Sequence, residues 1–516
     1  KDSALEGWSR ESDATLVDMV EWLAERVPGA KENGGGVALA VSDLTKLRAD
    51  RKKAFPTFME SDDRIAARFC VLKRLNIWVR DKMLPQVDIA TIRETAHGRC
   101  LSDVRELLFR QWKMERFNAI VEETFTNEEG DITLNRQLAI DCAAANECDM
   151  DGSRMLFAQA ATRGEELGVG VFRSRGPNYN RPLCIRYLNE EGIDQGGLYR
   201  DFFAAASSEL MSRQLPLLIP TPNSQNNAGE CREAWTLAPR PVTGDTRRML
   251  RFLGKVMGIC VRRGDVLPLA LSRITWKLLV GDRPKIADLA LSDVAAAESV
   301  RQLSNLEALG VGASDFEFCF GDLRFVYHNS MGEEVPLTEG GAQKRATFEN
   351  AREFAQLVLE MRTQEASEQA ACILEGLAMV IPVGCLSLWS WRDLEHRVCG
   401  DPRVDVQLMR RKVQYESTSE DEPRVRYLWA ALESYSQQDL QLFLRFCWGR
   451  SRLPPESSPL WGNGFIIAGV SDLPEDALPR AHTCFFQIDV PNYTSEQICT
   501  ERVRYAIQNC VSMLNS

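Results

Sequence analysis

Apolar residues recur at helical spacing through most of the first 150 residues, which commits that part of the chain to helices that each bury one face. Leu16, Val17, Val20, Leu23, Ala24 and Val27 fall on one side of a helix over 13–27, with Asp13 placed to cap it. The run Gly34-Gly35-Gly36 then breaks the pattern. Ile65, Phe69, Leu72, Leu75 and Val79 predict a second helix over about 63–83, ended by Pro85, and Leu108, Trp112 and Ile120 predict a third over about 101–125. No cluster of chemistry-bearing side chains falls in this stretch. Residues 1–150 are therefore expected to be a helical extension that serves as a scaffold or docking layer.

With 516 residues, 44% of them hydrophobic, the chain can fill several cores, and two to four domains are expected. Its formal net charge of -11, with both signs mixed along the chain, gives no broad basic surface, so nucleic acid is not an expected partner. No apolar run reaches the roughly 20 residues of a membrane helix, and Lys1-Asp2-Ser3 does not open a signal peptide. The expectation is no membrane insertion and a cytoplasmic location, with the nucleus as the alternative. A sequence that opens on Lys1 rather than Met is also expected to be part of a longer chain. Fifteen cysteines are scattered without a CxxC pair, and there are only four histidines, His97, His328, His396 and His482. That spacing suits neither zinc nor a disulfide framework, so no metal and no cofactor are expected. Most of the thiols should be small buried hydrophobes in a reducing compartment.

The texture changes near residue 181, where RPLCIRYLNEEGIDQGGLYRDFF runs from a strand-like alternation through a glycine turn into a helix near Leu198. Gly196-Gly197 lacks the spacing of a nucleotide loop, so it reads as a tight turn. Helices are expected at 245–263, 270–280, 350–364 and 368–380, with a strand-like stretch at 316–328. Gly400 and Pro402 interrupt two apolar regions, marking either a domain boundary or an ordinary surface turn. The chain then closes with FIIAGV, CFFQIDVP and a terminal helix over about 495–512.

One cysteine stands apart. LPRAHTCFFQIDVPNY (478–493) sets Cys484 where a polar turn with His482 and Thr483 enters a short hydrophobic strand. A thiolate at such a junction is accessible, and exchange between thioesters is nearly thermoneutral, so it needs positioning more than strong activation. A cysteine hydrolase would need a base oriented by a third group, and the neighbourhood of His482 offers no clear orienting carboxylate.

This segment resembles the active-cysteine segment of the HECT ubiquitin ligases. GIDQGGLYRDFF, LPLLIPTPNSQ, FLGKVMGICVRRGDVLPLALSRITWKLLVG, LEGLAMVIP, VCGDPRVDV and FLRFCWGRSRLP resemble other segments of that family in the same order, covering roughly 155–516. The wording of LLIPTPN, LRFCWGR and TCFF, with TLNRQLA upstream, is most similar to the large HERC-type members. The resemblance implies an α+β fold in which the helical extension precedes a bilobal domain. A larger N-lobe would occupy 155–400, with a subdomain at 284–370 that docks a ubiquitin-conjugating enzyme. A hinge would lie at 400–405, formed by Gly400, Asp401, Pro402, Arg403 and Val404, and a small α/β C-lobe at 406–516.

The same resemblance places Phe354 and Val358 in an apolar docking groove, with Leu303 and Leu306 on its other wall. Phe354 and Val358 are one helical turn apart and share a face, yet by residue type alone each suits a core equally well. Cys484 would accept ubiquitin as a thioester, and a lysine of a protein substrate would attack it. An amine must lose its proton to attack, which makes Asp489 on the same strand the candidate carboxylate. His482 and Thr483 would shape the loop and polarise the thioester. A solvated carboxylate and a turn histidine are the alternatives for Asp489 and His482. Family members commonly end in a Gly-Phe-Gly-like tail with an aromatic near the fourth position from the end. Here the chain ends NCVSMLNS, with Met513 in that place. A hydrolase of ubiquitin conjugates, an inactive binding module and a helical scaffold are the competing readings, and the intact HTCF string argues against the last.

Overall fold

The structure, a computed structural model, describes residues 8–24, 39–46, 48, 51–52, 55, 58, 60–88, 92, 95–175, 181–189, 197–401, 403–448, 452–453, 461 and 464–513. It is a mixed protein in which helices dominate and, among the described residues, ten short strands form four small sheets. Two compact units divide the chain. One joins Lys1–Phe125 with Trp276–Pro284 and Ala378–Leu394, and the other joins Thr126–Thr275, Lys285–Leu377 and Glu395–Ser516.

The first unit is helical, as its apolar spacing requires. Arg10–Ala24 buries Leu16, Val17, Val20 and Leu23. Val27 and the glycine run after it lie outside the described residues. Asp62–Trp78 is capped by Ser61, whose hydroxyl accepts from the Arg64 N–H, and continues through a wide turn over Val79–Met83 to Leu84–Gln86. The single helix expected over 101–125 is two, Ala96–Val104 and Arg110–Glu122. Asn76 explains the break, because its buried amide donates to Leu107 O and its carbonyl accepts from the Phe109 N–H and the Trp112 indole. Those bonds replace the helical ones that the interruption forfeits.

A buried charge cluster ties this unit together across distant parts of the chain. Lys113 is fully enclosed and donates to Asp393, and the Arg110 guanidinium reaches the same carboxylate at 3.1 Å. The Ser390 N–H and hydroxyl also donate to it, at 2.8 and 2.9 Å. Burial pushes the Asp393 carboxyl up, but Lys113 and Arg110 outweigh it and hold the group down to about 2. Asp393→Asn is expected to destabilise the fold by about 3–5 kcal/mol, because the buried Lys113 loses the carboxylate to which it donates. A folded-state value below the ordinary aspartate value near 4 means this stabilisation is complete above about pH 4 and is lost as pH falls toward 2. Denaturant unfolding at pH 7 and at pH 3 checks both points. The gap between the wild type and the variant should narrow at the lower pH.

In the second unit, β1 (Gly130–Leu134) and β2 (Leu183–Tyr187) pair in parallel with Ile132 opposite Ile185, and β3 (Leu218–Pro220) pairs antiparallel with β4 (Trp235–Leu237). The helix Gly244–Arg263 starts on a Thr243 capping box and stops at Gly264, whose φ of 75° suits glycine. It packs closely on the helix that follows Ser367. A Cβ at Gly254 would sit 2.0 Å from Ile373 O, and one at Gly376 1.8 Å from Arg251 O, so only glycine permits this approach.

Residues 300–355 of the same unit enclose an apolar cluster of Val300, Leu303, Leu306, Phe316, Phe325, Phe354 and neighbours. It is framed by the helices Val294–Ser304 and Ala351–Gln364 and by the hairpin of β5 (Val326–His328) and β6 (Glu334–Pro336). The stretch expected to be strand-like at 316–328 begins instead as a short helix, Phe316–Phe320, before β5. FEFCF alternates like a strand, but helical spacing brings the Phe316 and Phe320 rings to 5.2 Å, so tertiary packing selects the helix.

Further along, β7 (Val413–Glu416), β8 (Phe465–Gly469), β9 (Arg480–His482) and β10 (Gln487–Val490) form one sheet in the order β7-β8-β10-β9. The first three strands of that order are parallel and β9 is antiparallel. Parallel strands need cover, and the helices Pro423–Ser434, Gln437–Trp448 and Glu496–Met513 supply it. Together these elements bury a cluster drawn from Val404 to Ile507. Among the described residues, no helix is long and apolar enough to cross a membrane.

Candidate active site

β9 and β10 form a hairpin in which His482 pairs with Gln487 and Arg480 with Asp489. Its tip is the short turn Thr483–Phe485, which carries the backbone of Cys484, and the side chain of Cys484 lies outside the described ones. Thr483 and Phe485 are exposed. Phe486 closes the turn in the left-handed region, with φ 52° and ψ 54°. Hairpin loops of this kind return to the strand direction through a left-handed residue, ordinarily glycine or asparagine. For phenylalanine that conformation costs about 1–2 kcal/mol. The ring lies flat on Trp448, with centroids 4.3 Å apart and planes 11° from parallel, and meets Phe465 at 4.9 Å and Trp461 at 6.1 Å. Contacts of this type contribute about 0.5–1.5 kcal/mol each, enough to offset the strain.

Asp489 is buried, and both of its oxygens have partners. His482 Nε2 lies 3.0 Å from Oδ2, the Gln487 amide donates to Oδ1 at 2.8 Å, and the Arg480 guanidinium stands 3.4 Å from Oδ2 while also pairing with Asp472. Asp489 is thus neither solvated nor free, and its geometry suits a group that orients His482. The orienting carboxylate that linear sequence did not offer His482 is supplied across the hairpin. With Nε2 turned to Asp489, Nδ1 is the ring nitrogen left for substrate or solvent. Gln487 and Arg480 were missed as parts of this network. The period of two that puts Gln487 and Asp489 on one face was the available signal.

Of the thirteen cysteines whose side chains are described, seven are buried. Cys499, on the helix behind the sheet, is enclosed, and burial pushes its thiol up to about 12, so it is a poor nucleophile at neutral pH.

The docking residues named from the sequence sit together only in part. Leu303, Phe354 and Val358 line one groove of about 540 Å³, together with Val300, Tyr327 and Met331. Leu306 is buried and does not line it. Phe354 is only 4% exposed and meets Phe325 edge-on at 5.4 Å, so it belongs to the core as well as the groove wall, whereas Val358 is half-buried. In the candidate hinge, Gly400 has φ 79° and its carbonyl accepts from Arg452, Asp401 bridges Leu453, and Arg403 N–H donates to the Asp401 carboxylate. Val404 is buried and exchanges hydrogen bonds with the Gln437 amide at 2.7 and 3.2 Å. Pro402 lies outside the described residues. Met513 ends the terminal helix, and its side chain likewise lies outside the described ones.

A family model described as the HECT-domain (ubiquitin-transferase) matches residues 200–516, which takes in the hairpin, the groove and the segment between them. The chain belongs to the HECT family. It is 30% identical over 439 residues to the E3 ubiquitin-protein ligase HERC2 of Homo sapiens, covering 83% of this chain and 9% of HERC2. It is 27% identical over 541 residues to the probable E3 ubiquitin-protein ligase HECTD4 of Homo sapiens, covering 97% of this chain and 13% of that protein. The E3 ubiquitin-protein ligase HACE1 of Xenopus tropicalis is 27% identical over 351 residues, covering 65% of this chain and 36% of its own length. The chain therefore spans about a tenth of the length of its HERC2 and HECTD4 relatives.

The HECT hairpin's polar network has a measurable energetic signature. Asp489→Ala strands His482, Gln487 and Arg480 together, and is expected to cost about 1–3 kcal/mol in chemical denaturation. Asp489→Asn, which keeps an acceptor for them, should cost less. Equal stability of Asp489→Ala and the wild type would show that the network does not hold the hairpin.

Proposed function

We propose that this chain is a ubiquitin ligase that receives ubiquitin on Cys484 from a conjugating enzyme and passes it to a lysine of a protein substrate. The observation that carries this reading is the position of Cys484 in an exposed turn, beside a His482 oriented by Asp489, within the HECT match. In the first step the Cys484 thiolate attacks the carbonyl carbon of the thioester on the conjugating enzyme. A new C–S bond forms, and the old one breaks with release of the donor thiolate. Both are thiols, so positioning governs the rate. In the second step the substrate amine attacks, the Cys484 thiolate leaves, and the amine proton must be taken up. His482, held by Asp489, is the group placed to polarise or accept here, while Asp489 acts through it rather than on the amine.

The groove lined by Leu303, Phe354 and Val358 is the proposed docking surface of the conjugating enzyme. The segment Gly400–Val404 is the proposed hinge between a docking lobe and a cysteine lobe, and Met513 the proposed stand-in for the family's tail aromatic. Ubiquitin, a conjugating enzyme and a protein substrate are the partners this reading requires, and a cytoplasmic or nuclear location suits it.

One observation favours a second reading. A histidine oriented by a carboxylate beside a cysteine also suits a hydrolase of ubiquitin conjugates. A single experiment separates the two. Incubation with activating enzyme, conjugating enzyme, ATP and ubiquitin should give a thiol-sensitive adduct on a non-reducing gel, and Cys484→Ala should abolish it. An adduct that survives Cys484→Ala would move the chemistry to another thiol. Release of free ubiquitin with no transferable adduct would favour the hydrolase.

The docking surface is tested at Val358 rather than Phe354. Val358→Asp is expected to leave the melting temperature within a few degrees of the wild type and to weaken adduct formation at limiting conjugating enzyme. Phe354→Ala removes a core ring and should cost about 3–5 kcal/mol. Normal charging by a folded Val358→Asp protein would place the docking surface elsewhere.

A further inference from the structure

We propose that Phe486 is the positioning residue of the turn that carries Cys484. The inference deepens the proposed function and rests on the reading of Cys484 as the thioester residue. Thr483 and Phe485 project from the turn into solvent, so their own packing does little to fix it. Its two ends must do so. One end is the pairing of His482 with Gln487, and the other is Phe486.

Phe486 fixes its end twice over. Its carbonyl accepts from the Ile466 N–H at 2.9 Å, which locks the backbone to β8. Its ring, 3% exposed, is held among Trp448, Trp461 and Phe465. The left-handed φ and the trapped ring are coupled, because rotating the backbone to a relaxed value would swing the ring off Trp448. A glycine would satisfy the turn without anchoring it. The aromatic makes one backbone path through residues 483–485 the favoured one, and so sets where the cysteine-bearing segment stands relative to His482. Phe486 touches no reacting atom in this role.

Single-turnover charging from ubiquitin-loaded conjugating enzyme, over a range of its concentrations and well below each variant's melting temperature, tests the proposal. Phe486→Ala and Phe486→Gly should lower the maximal charging rate about 10- to 100-fold, the scale of a small misplacement of reacting groups. The half-saturating concentration should stay unchanged, because docking lies elsewhere. Phe486→Tyr, which keeps the stack, should charge within about twofold of wild type. Phe486→Gly separates position from stability, since it relieves the backbone strain yet should remain slow. Should the Phe486→Ala protein not fold, Trp448→Leu removes the stack from outside the turn and should give the same slow maximal rate. Folded Phe486→Gly or Trp448→Leu protein that charges at the wild-type maximal rate overturns the proposal, as does a loss confined to the half-saturating concentration. If the wild type forms no adduct, or Cys484→Ala still forms one, the proposed function itself fails and this inference falls with it.

Discussion

The pairing of β10 with β8 on one side and β9 on the other is the constraint on which the cysteine region depends. It makes β10 a central strand, so Ile488, Asp489 and Val490 are all buried. A buried carboxylate must find partners, and in a hairpin the partners within reach are on the neighbouring strand. His482 and Arg480 meet that requirement from β9, and Gln487 meets it from the same strand. The register that satisfies Asp489 is therefore also the register that places the turn Thr483–Phe485 at the tip. A slip of one residue would set Ile488 on the face of the polar groups and leave the carboxylate without its histidine.

Local pattern made the helices legible and long-range contact decided what it did not. Arg10–Ala24, Gly244–Arg263 and Ala351–Gln364 follow from apolar spacing written within each segment; Thr243 caps the second, whereas Asp13, expected to cap the first, lies within its first turn and pairs with Arg68 instead. The break between Ala96–Val104 and Arg110–Glu122 depends on Asn76, about thirty residues away, and no feature of 101–125 reports it. The short helix of FEFCF was hidden for the opposite reason, since its alternation is a genuine strand signal that packing overrides. At the site, the HTCF string drew attention to Cys484, whereas the His482–Asp489 pair became visible only once the hairpin register was known. Seven residues of sequence separate them, and only the turn brings them to 3.0 Å. Phe354 shows a further limit. Its spacing to Val358 is real, but a helical face can line a groove and belong to a core at once.

The candidate hinge has more structure than its composition suggests. Gly and Pro imply a loose connection, yet the backbone there is tied to a second stretch of chain through the Asp401–Leu453 bridge and the Arg452 contact to Gly400 O. Arg452 also pairs with Glu395, so the tie reaches back into the preceding helix. Gly400 itself leaves little room, since a Cβ would stand 2.7 Å from Leu453 O. Val404 belongs to the apolar cluster that follows it and is held by Gln437. Any pivoting of the segment therefore has to break these few contacts together.

The proposed chemistry asks different things of its two steps. Exchange of one thioester for another changes no bond type, so little driving force or activation is required and geometry decides the rate. An aromatic anchor at Phe486 and a paired register would serve that step, because both hold backbone in place and neither supplies charge. Attack by an amine is different, since a proton must leave as the bond forms. Among the described residues of the hairpin, His482 is exposed and paired with the enclosed Asp489, which Arg480 also approaches. An exposed carboxylate in that place would be solvated and mobile. Burying it and letting His482 face outward holds the carboxylate in place and presents an imidazole at the surface of the hairpin.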